Sequence, residues 1–250
     1  MAAFDPNLHS AKSDSGALLE RYTEIARLAG GLAHEIKNPL STISLNMELL
    51  AEDFAGQDDA KIRRSLRKIE TVQRECQRLQ TLLDDFLNFA KVRRLRQEPT
   101  VLNEQVKRTV EFFRPRAREV GIELVDYLTG DLPTVLLDRE AFQGALLNLL
   151  INAEHALNGE PGQIILKTYP TPEGVGLDVI DTGPGMDEET QAKVFDAFFS
   201  TKGGGSGLGL PTTRKIIEAH GGTVSIQSEP GRGTQFAIRL PVPPRLSAGD

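Results

Sequence analysis

Eight apolar residues between Leu28 and Phe54 recur at gaps of three or four: Leu28, Leu32, Ile36, Leu40, Ile43, Met47, Leu50 and Phe54. That spacing is one face of an amphipathic helix. It predicts a helix from about Ala17 to about Ala55, well beyond ordinary globular length. A second stripe, Ile62, Leu66, Ile69, Cys76, Leu79, Leu83, Phe86 and Ala90, predicts another long helix from about Ala60 to Arg96. Between them Gly56-Gln57-Asp58-Asp59 reads as a turn, with Gly56 ending one helix and Asp58 or Asp59 capping the next. Two long helices joined this closely form an antiparallel hairpin. Each buries only one face, so a second hairpin is the natural cover, and a homodimeric four-helix bundle is expected.

The first helix carries Gly30-Gly31-Leu32-Ala33-His34-Glu35-Ile36-Lys37-Asn38-Pro39-Leu40. At about 100° per residue His34 falls nearly opposite the apolar stripe, so its imidazole is expected to face water. Glu35 is one position round, and Asn38 lies one turn later on roughly the same face. Pro39 removes a backbone donor and is expected to kink the helix just past the histidine. An exposed His-Glu pair is ordinary helix surface in most proteins, so the rest of the chain has to decide its meaning. A zinc-protease helix is excluded, because the second histidine of His-Glu-x-x-His is here Asn38.

At 250 residues, with 39% hydrophobic and 26% charged residues, the chain is globular and has room for one large or two modest domains. A net charge of −6 argues against a nucleic-acid binder. Local basic clusters, Arg63-Arg64 with Arg67-Lys68 and Lys91 to Arg94, read as solvated helix faces. The single cysteine, Cys76, allows no intrachain disulfide and sits on an apolar stripe, as a buried filler would. No run approaches the ~20 apolar residues of a membrane span, and the N-terminus lacks a signal-peptide pattern. A cytoplasmic setting is expected, for a whole protein or for part of a longer one.

From Glu98-Pro99-Thr100 the pattern changes to alternating helices and strands. Helices are expected over Leu102–Arg118 (its end disturbed by Pro115), from Asp138 or Arg139 to about Leu157, and over Pro211–Ala219. Strands are expected at Ile122–Tyr127, Val135–Leu137, Gly162–Tyr169, Gly176–Ile180, Thr223–Ser228 and Thr234–Leu240. The fold class is therefore α+β: a helical hairpin over 18–96, then an α/β sandwich over 98–242, a mixed sheet with helices on one face. Residues 1–17 and 243–250 read as flexible tails.

Three stretches of the sandwich are polar and set for a nucleotide. Asp181-Thr182-Gly183-Pro184-Gly185-Met186 follows a strand. A carboxylate at a strand end can accept from an exocyclic amine, and glycines allow close approach to a flat ring; a plain turn with a capping Asp is equally compatible with this stretch alone. Gly203-Gly204-Gly205-Ser206-Gly207-Leu208-Gly209-Leu210 runs into a helix whose first residue is read as Pro211, a ready anion site with Lys202 beside it. The run fits neither a Walker A loop nor Gly-x-Gly-x-x-Gly. Asn148 and Asn152, spaced i, i+4, offer amide oxygens suited to Mg²⁺ and phosphates.

Taken together, the chain resembles the cytoplasmic core of a sensor histidine kinase of two-component signalling, in the nitrogen-regulation-like subgroup. His34 to Leu40 is similar to the H box, Asn148 to Ala153 to the N box, and Asp181 to Met186 to the G1 box. Phe195 to Lys202 is similar to the F box, Gly205 to Leu210 to the G2 box, and Gly231 to Thr234 to a third glycine turn. The likeness spans roughly 20–96 and 98–241. It implies ATP and Mg²⁺ as cofactors, and His34 as the phosphoacceptor. It also implies Glu35 orienting or deprotonating the imidazole, and Asn38 positioning a water for dephosphorylation of a partner. Asn152 would hold Mg²⁺ and Asp181 would read adenine. Asn148, Gly183, Gly185, Lys202, Gly205, Gly207, Leu208, Gly209 and Thr234 would complete the nucleotide site. His155 would contact phosphate or be structural. His220 reads as a helix C-terminal residue favoured by the dipole, His9 lies in the tail, and Phe195, Phe198 and Phe199 read as hydrophobic anchors of the lid.

The implied partners are a second copy of the chain and a response-regulator receiver domain, with a sensor module absent or separate. Two other readings remain open at this stage: an ATPase of the same broad fold working through a carboxylate base, and a dimeric scaffold or phosphatase.

Overall fold

The structure is a computed structural model and describes residues 36–52, 54, 59–90, 95–201 and 205–242. The expected tails, His34 and Glu35, the turn at Gly56–Asp58 and Lys202 lie outside the described residues. The described residues divide into a helical unit and an α/β unit.

In the helical unit, helix α1 occupies residues 36–52 and runs through Pro39, while α2 spans Ala60–Ala90. Asp59 caps α2, accepting from the Lys61 N–H at 3.1 Å. Lys37 of α1 pairs with Asp84 of α2, tying the two helices together beside Asn38. Leu40, Ile69 and Cys76 are buried between them, so the cysteine is the filler its position predicted. Of the rest of the two stripes, Ile36, Ile43, Leu50 and Leu79 are exposed and the other described members are half-buried; Leu49 and Val72, off the stripes, are exposed as well.

The α/β unit starts with strand β1 (Glu98–Thr100), helix α3 (Leu102–Glu119), β2 (Ile122–Leu128), β3 (Val135–Leu137) and helix α4 (Arg139–Leu157). It continues with β4 (Gly162–Thr171), β5 (Gly174–Asp181), helix α5 (Glu188–Lys193), helix α6 (Gly209–Ala219), β6 (Thr223–Glu229) and β7 (Gly233–Pro241). The five-stranded sheet has the order β2-β4-β5-β7-β6. Only β2 and β4 run parallel; the other neighbours are antiparallel. Helices α3, α4 and α6 cover one face through Phe113, Phe142, Leu146, Leu149 and Ile217, packed on Ile164, Leu166, Leu177 and Ile238. Each such side chain contributes roughly 1.5–3 kcal/mol by leaving water.

Four expectations are corrected. Helix α3 passes through Pro115 to Glu119; Pro115 lies on its exposed face, where water can satisfy the carbonyl that the missing N–H leaves. Strands β4 and β5 extend to Thr171 and Gly174, because a two-residue turn, Pro172-Glu173, lets their ladder close fully. Strand β1 pairs antiparallel with β3 where only a helix end was expected. Helix α5 is unanticipated: Asp187 caps it, accepting from the Thr190 N–H at 2.8 Å, and the Thr190 hydroxyl first, then this N–H, lower the Asp187 pKa.

Candidate functional site

Helix α4 begins at its Asp138 cap, which accepts from the Ala141 N–H at 3.0 Å. About three and four turns on, it brings Asn148 and Asn152 to the start of α6. The Asn148 side-chain amide donates to the Gly209 carbonyl at 3.4 Å, and the buried Thr213 hydroxyl donates to the same oxygen at 3.0 Å. A methyl group placed on Gly209 would lie 3.8 Å from the Asn148 amide carbon and 3.9 Å from the Asn152 amide nitrogen. Both asparagines therefore frame one small cradle at a helix start.

That start lies two residues earlier than expected. Gly209 is the first helical residue and Pro211 the third, behind Leu208, which is buried and provides no side-chain cap. Uncapped N–H groups at Gly209 and Leu210, at the positive end of the helix, suit a phosphate. Gly207 precedes them with φ +66°, and its carbonyl accepts from the Phe198 N–H at 3.1 Å. Gly205 is exposed.

On the sheet side, Asp181 ends β5 with 4% exposure and accepts from the Gly183 N–H at 2.9 Å. Thr234, 5% exposed, stands directly across from it on β7. Gly185 has φ +69°, and any Cβ there would strike the Glu229 carbonyl, so the loop packs directly on the β6–β7 turn. The Gly231 N–H donates to the Pro184 carbonyl at 2.7 Å across the same seam.

Other expected residues fall differently. His155 is exposed on the last turn of α4. Glu154 is paired with Arg116 of α3 at 2.7 Å, off the asparagine face. His220 is buried, with both ring nitrogens engaged: Nδ1–H donates to the Ile216 carbonyl at 2.7 Å, and Nε2 accepts from the Asp138 N–H at 2.9 Å. It stands at the C-terminal end of α6 as expected, and its ring is a buried link from that end to the α4 cap rather than an open group at the dipole. Phe195 is a buried anchor, edge-on to Phe236, with the Arg214 guanidinium 3.9 Å above its ring. Phe198 is 64% exposed with φ +68°, so its ring is not buried as an anchor would be.

Among the described residues no group of three acidic, histidine or cysteine side chains could by itself hold a metal ion. The Asn148–Asn152 cradle does fit Mg²⁺, which takes few protein ligands and completes its shell with phosphate oxygens and water. Among the described residues no helix is long and apolar enough to cross a membrane.

Residues 137–244 match the family described as histidine kinase-, DNA gyrase B- and HSP90-like ATPases, which defines the class of the sandwich. Residues 24–95 match the His Kinase A (phospho-acceptor) domain. The chain belongs to the sensor histidine kinases. It is 30% identical over 230 residues to the signal transduction histidine-protein kinase AtoS of Escherichia coli K12, covering 92% of this chain and 37% of AtoS. A full-length ShkA structure in complex with AMPPNP superposes with a TM-score of 0.68 at 29% identity, over 86% of this chain and 45% of that one. The catalytic domain of histidine kinase ThkA matches at 31% identity and TM-score 0.54, over 59% of this chain and 96% of that domain. A ThkA complex with response regulator protein TrrA matches at 26% identity and TM-score 0.66, over 98% of this chain and 69% of that one. The chain spans between 36% and 62% of the length of the curated relatives it matches.

Proposed function

We propose that this chain is an ATP-dependent protein-histidine kinase that phosphorylates itself on His34 and passes the phosphoryl group to an aspartate of a response regulator. The observation that carries this reading is the asparagine cradle at the uncapped start of α6, in a chain whose residues 24–95 match a phosphoacceptor domain. Residues 18–96 form the dimerisation and phosphotransfer domain and 98–242 the catalytic domain, both cytoplasmic.

Asp181 accepts from the adenine amine, with Thr234 beside it and Gly183 and Gly185 bringing the loop close to the ring. Asn148, Gly207, Leu208 and Gly209 shape the phosphate end, which Gly205, Lys202 and His155 flank. Asn152 holds Mg²⁺, which neutralises phosphate charge when bound. His34 needs a free ring lone pair, and Glu35 orients the imidazole or takes its proton. The P–N bond forms as the bond from the γ-phosphorus to the bridging oxygen breaks, and ADP leaves with that electron pair. Asn38 positions a water for the reverse duty, dephosphorylating the regulator. The exposed stripe of α1 and α2 is covered by a second copy.

A carboxylate-driven ATPase is disfavoured, because Glu154 of α4 lies off the asparagine face and is paired with Arg116. The test is incubation with γ-labelled ATP and Mg²⁺ beside His34→Gln. Alkali-stable, acid-labile label that the variant lacks is expected. Equal phosphate release by both proteins without label would overturn the kinase reading in favour of the ATPase.

A further inference from the structure

Three helix-facing side chains stand in a row across the ends of three adjacent strands: Asp181 on β5, Thr234 on β7 and Ser228 on β6. Asp181 is the register partner of Thr234, and Thr234 is the register partner of Ser228. Directly opposed residues share a face of the sheet. We propose that Ser228 is a positioning residue that fixes the Thr234 hydroxyl and so sets the base preference of the nucleotide site; this rests on the nucleotide reading above.

The hydrogen bonds allow one consistent assignment. The Ser228 Oγ lies 2.8 Å from the Gly233 carbonyl, 2.9 Å from the Met186 N–H and 3.0 Å from the Thr234 hydroxyl. A carbonyl can only accept and an N–H can only donate. The single Ser228 hydrogen therefore goes to Gly233, Ser228 accepts from Met186, and the Thr234 hydroxyl donates to Ser228. Thr234 has then spent its only hydrogen and offers lone pairs alone beside the Asp181 carboxylate. Two neighbouring oxygens that only accept favour the exocyclic amine of adenine and repel the carbonyl that guanine carries at that position. Gln191 of α5 braces the same junction, donating to the Met186 carbonyl at 3.0 Å and the Ser228 carbonyl at 2.9 Å.

Removing the Ser228 hydroxyl frees the Thr234 hydrogen, which can then meet a guanine carbonyl. The experiment titrates ATP and GTP calorimetrically into the full chain, its Ser228→Ala, Ser228→Thr and Thr234→Val variants, and the Ser228→Ala/Thr234→Val double variant. Ser228→Ala is expected to narrow the ATP-over-GTP preference about tenfold, equivalent to about 1.4 kcal/mol. Phosphorylation at saturating ATP should stay within about twofold. Ser228→Thr should keep the preference, and the double variant should do no more than either single change, because both act through one hydroxyl. A lower melting temperature with an unchanged preference would reduce Ser228 to a structural residue and overturn the proposal, as would additive effects in the double variant. If Ser228→Ala fails to fold, Ser228→Thr against Thr234→Val decides: an equal loss of preference in both overturns it. A wild-type chain that binds neither nucleotide overturns the nucleotide reading itself, and this inference with it.

Discussion

Arg116 donates to Glu154 at 2.7 Å, joining α3 to the helix that carries the asparagine pair. The side chain of Glu154 is 12% exposed and that of Arg116 is 53% exposed. The pair is therefore screened on one side only, and its loss should cost on the order of 1 kcal/mol. Arg116→Ala is expected to lower the melting temperature by a few degrees while keeping the phosphohistidine yield. Glu154→Gln should also keep that yield, since Glu154 does no proton transfer; a collapse of turnover in Glu154→Gln would make it the base of a hydrolase.

On the open face of the sheet, Asp178 is 8% exposed and holds three donors: the Tyr169 hydroxyl at 2.7 Å, the Gln235 amide at 2.9 Å and the Arg239 guanidinium at 3.1 Å. Burial first, and then the Asp178 hydrogen bond, push the Tyr169 pKa up to about 12. A raised folded pKa of an acid means the neutral form is favoured in the fold. The stabilisation is thus fully present below the unfolded pKa near 10 and is lost as pH rises towards about 12. Absorbance titration at tyrosinate wavelengths should give one of the three tyrosines a late transition, absent in Tyr169→Phe. The same variant should flatten the stability loss across that window.

The long elements were legible because their signal is local. The stripes at Ile62–Ala90 and the Asp138 cap of α4 need only periodicity and one side chain. The asparagine pair was likewise readable from its i, i+4 spacing, and the structure brings both amides to the start of α6. The cap of α5 was visible too, in Asp187 followed by Glu188 and Glu189, but six residues with none buried leave no apolar stripe to notice. Strand β1 is three residues long and includes Pro99, so nothing local announces it. The Asp181–Thr234–Ser228 row and the Arg116–Glu154 pair depend on register and on helix packing between segments far apart in the chain. No spacing rule encodes either. His220 illustrates the limit: a histidine at a helix end suggests a charge on the dipole, but its function is set by the Asp138 backbone 82 positions away.

His220 and Asp138 give a stability prediction of their own. Asp138 joins α4 to the preceding segment through the Arg96 N–H at 3.0 Å, and joins α6 through His220. His220→Phe fills the same space but leaves the Asp138 N–H without its acceptor. An orphaned donor of this kind costs about 1–3 kcal/mol, to be read as a lower denaturation midpoint. His220→Gln, whose side-chain oxygen can accept, should recover part of the loss, whereas a pure packing role predicts the reverse order.

Gly207 and Gly209 are two residues apart yet should fail in different ways. At Gly207, φ is +66° and an added Cβ would lie 2.7 Å from the Phe199 carbonyl oxygen and 2.8 Å from the Phe198 Cα. Those neighbours are backbone and cannot swing aside, and the left-handed conformation alone costs about 1–2 kcal/mol for a residue with a side chain. Gly207→Ala should therefore lower both thermal stability and ATP affinity, because the turn that sets the start of α6 has to move. At Gly209 the backbone is helical and an added Cβ meets only the asparagine amides, at ordinary contact distances of 3.8 Å and more. Alanine is the better helix former by up to about 1 kcal/mol, so Gly209→Ala should keep or gain stability. Its methyl group occupies the cradle between Asn148 and Asn152, and ATP affinity in the presence of Mg²⁺ should fall about tenfold or more, as crowding at a phosphate subsite of about 1.4 kcal/mol or above would produce. Calorimetric melting beside ATP titration separates the two. Normal affinity in a stable Gly209→Ala protein would remove the phosphate end of the nucleotide from the Asn148–Asn152 cradle.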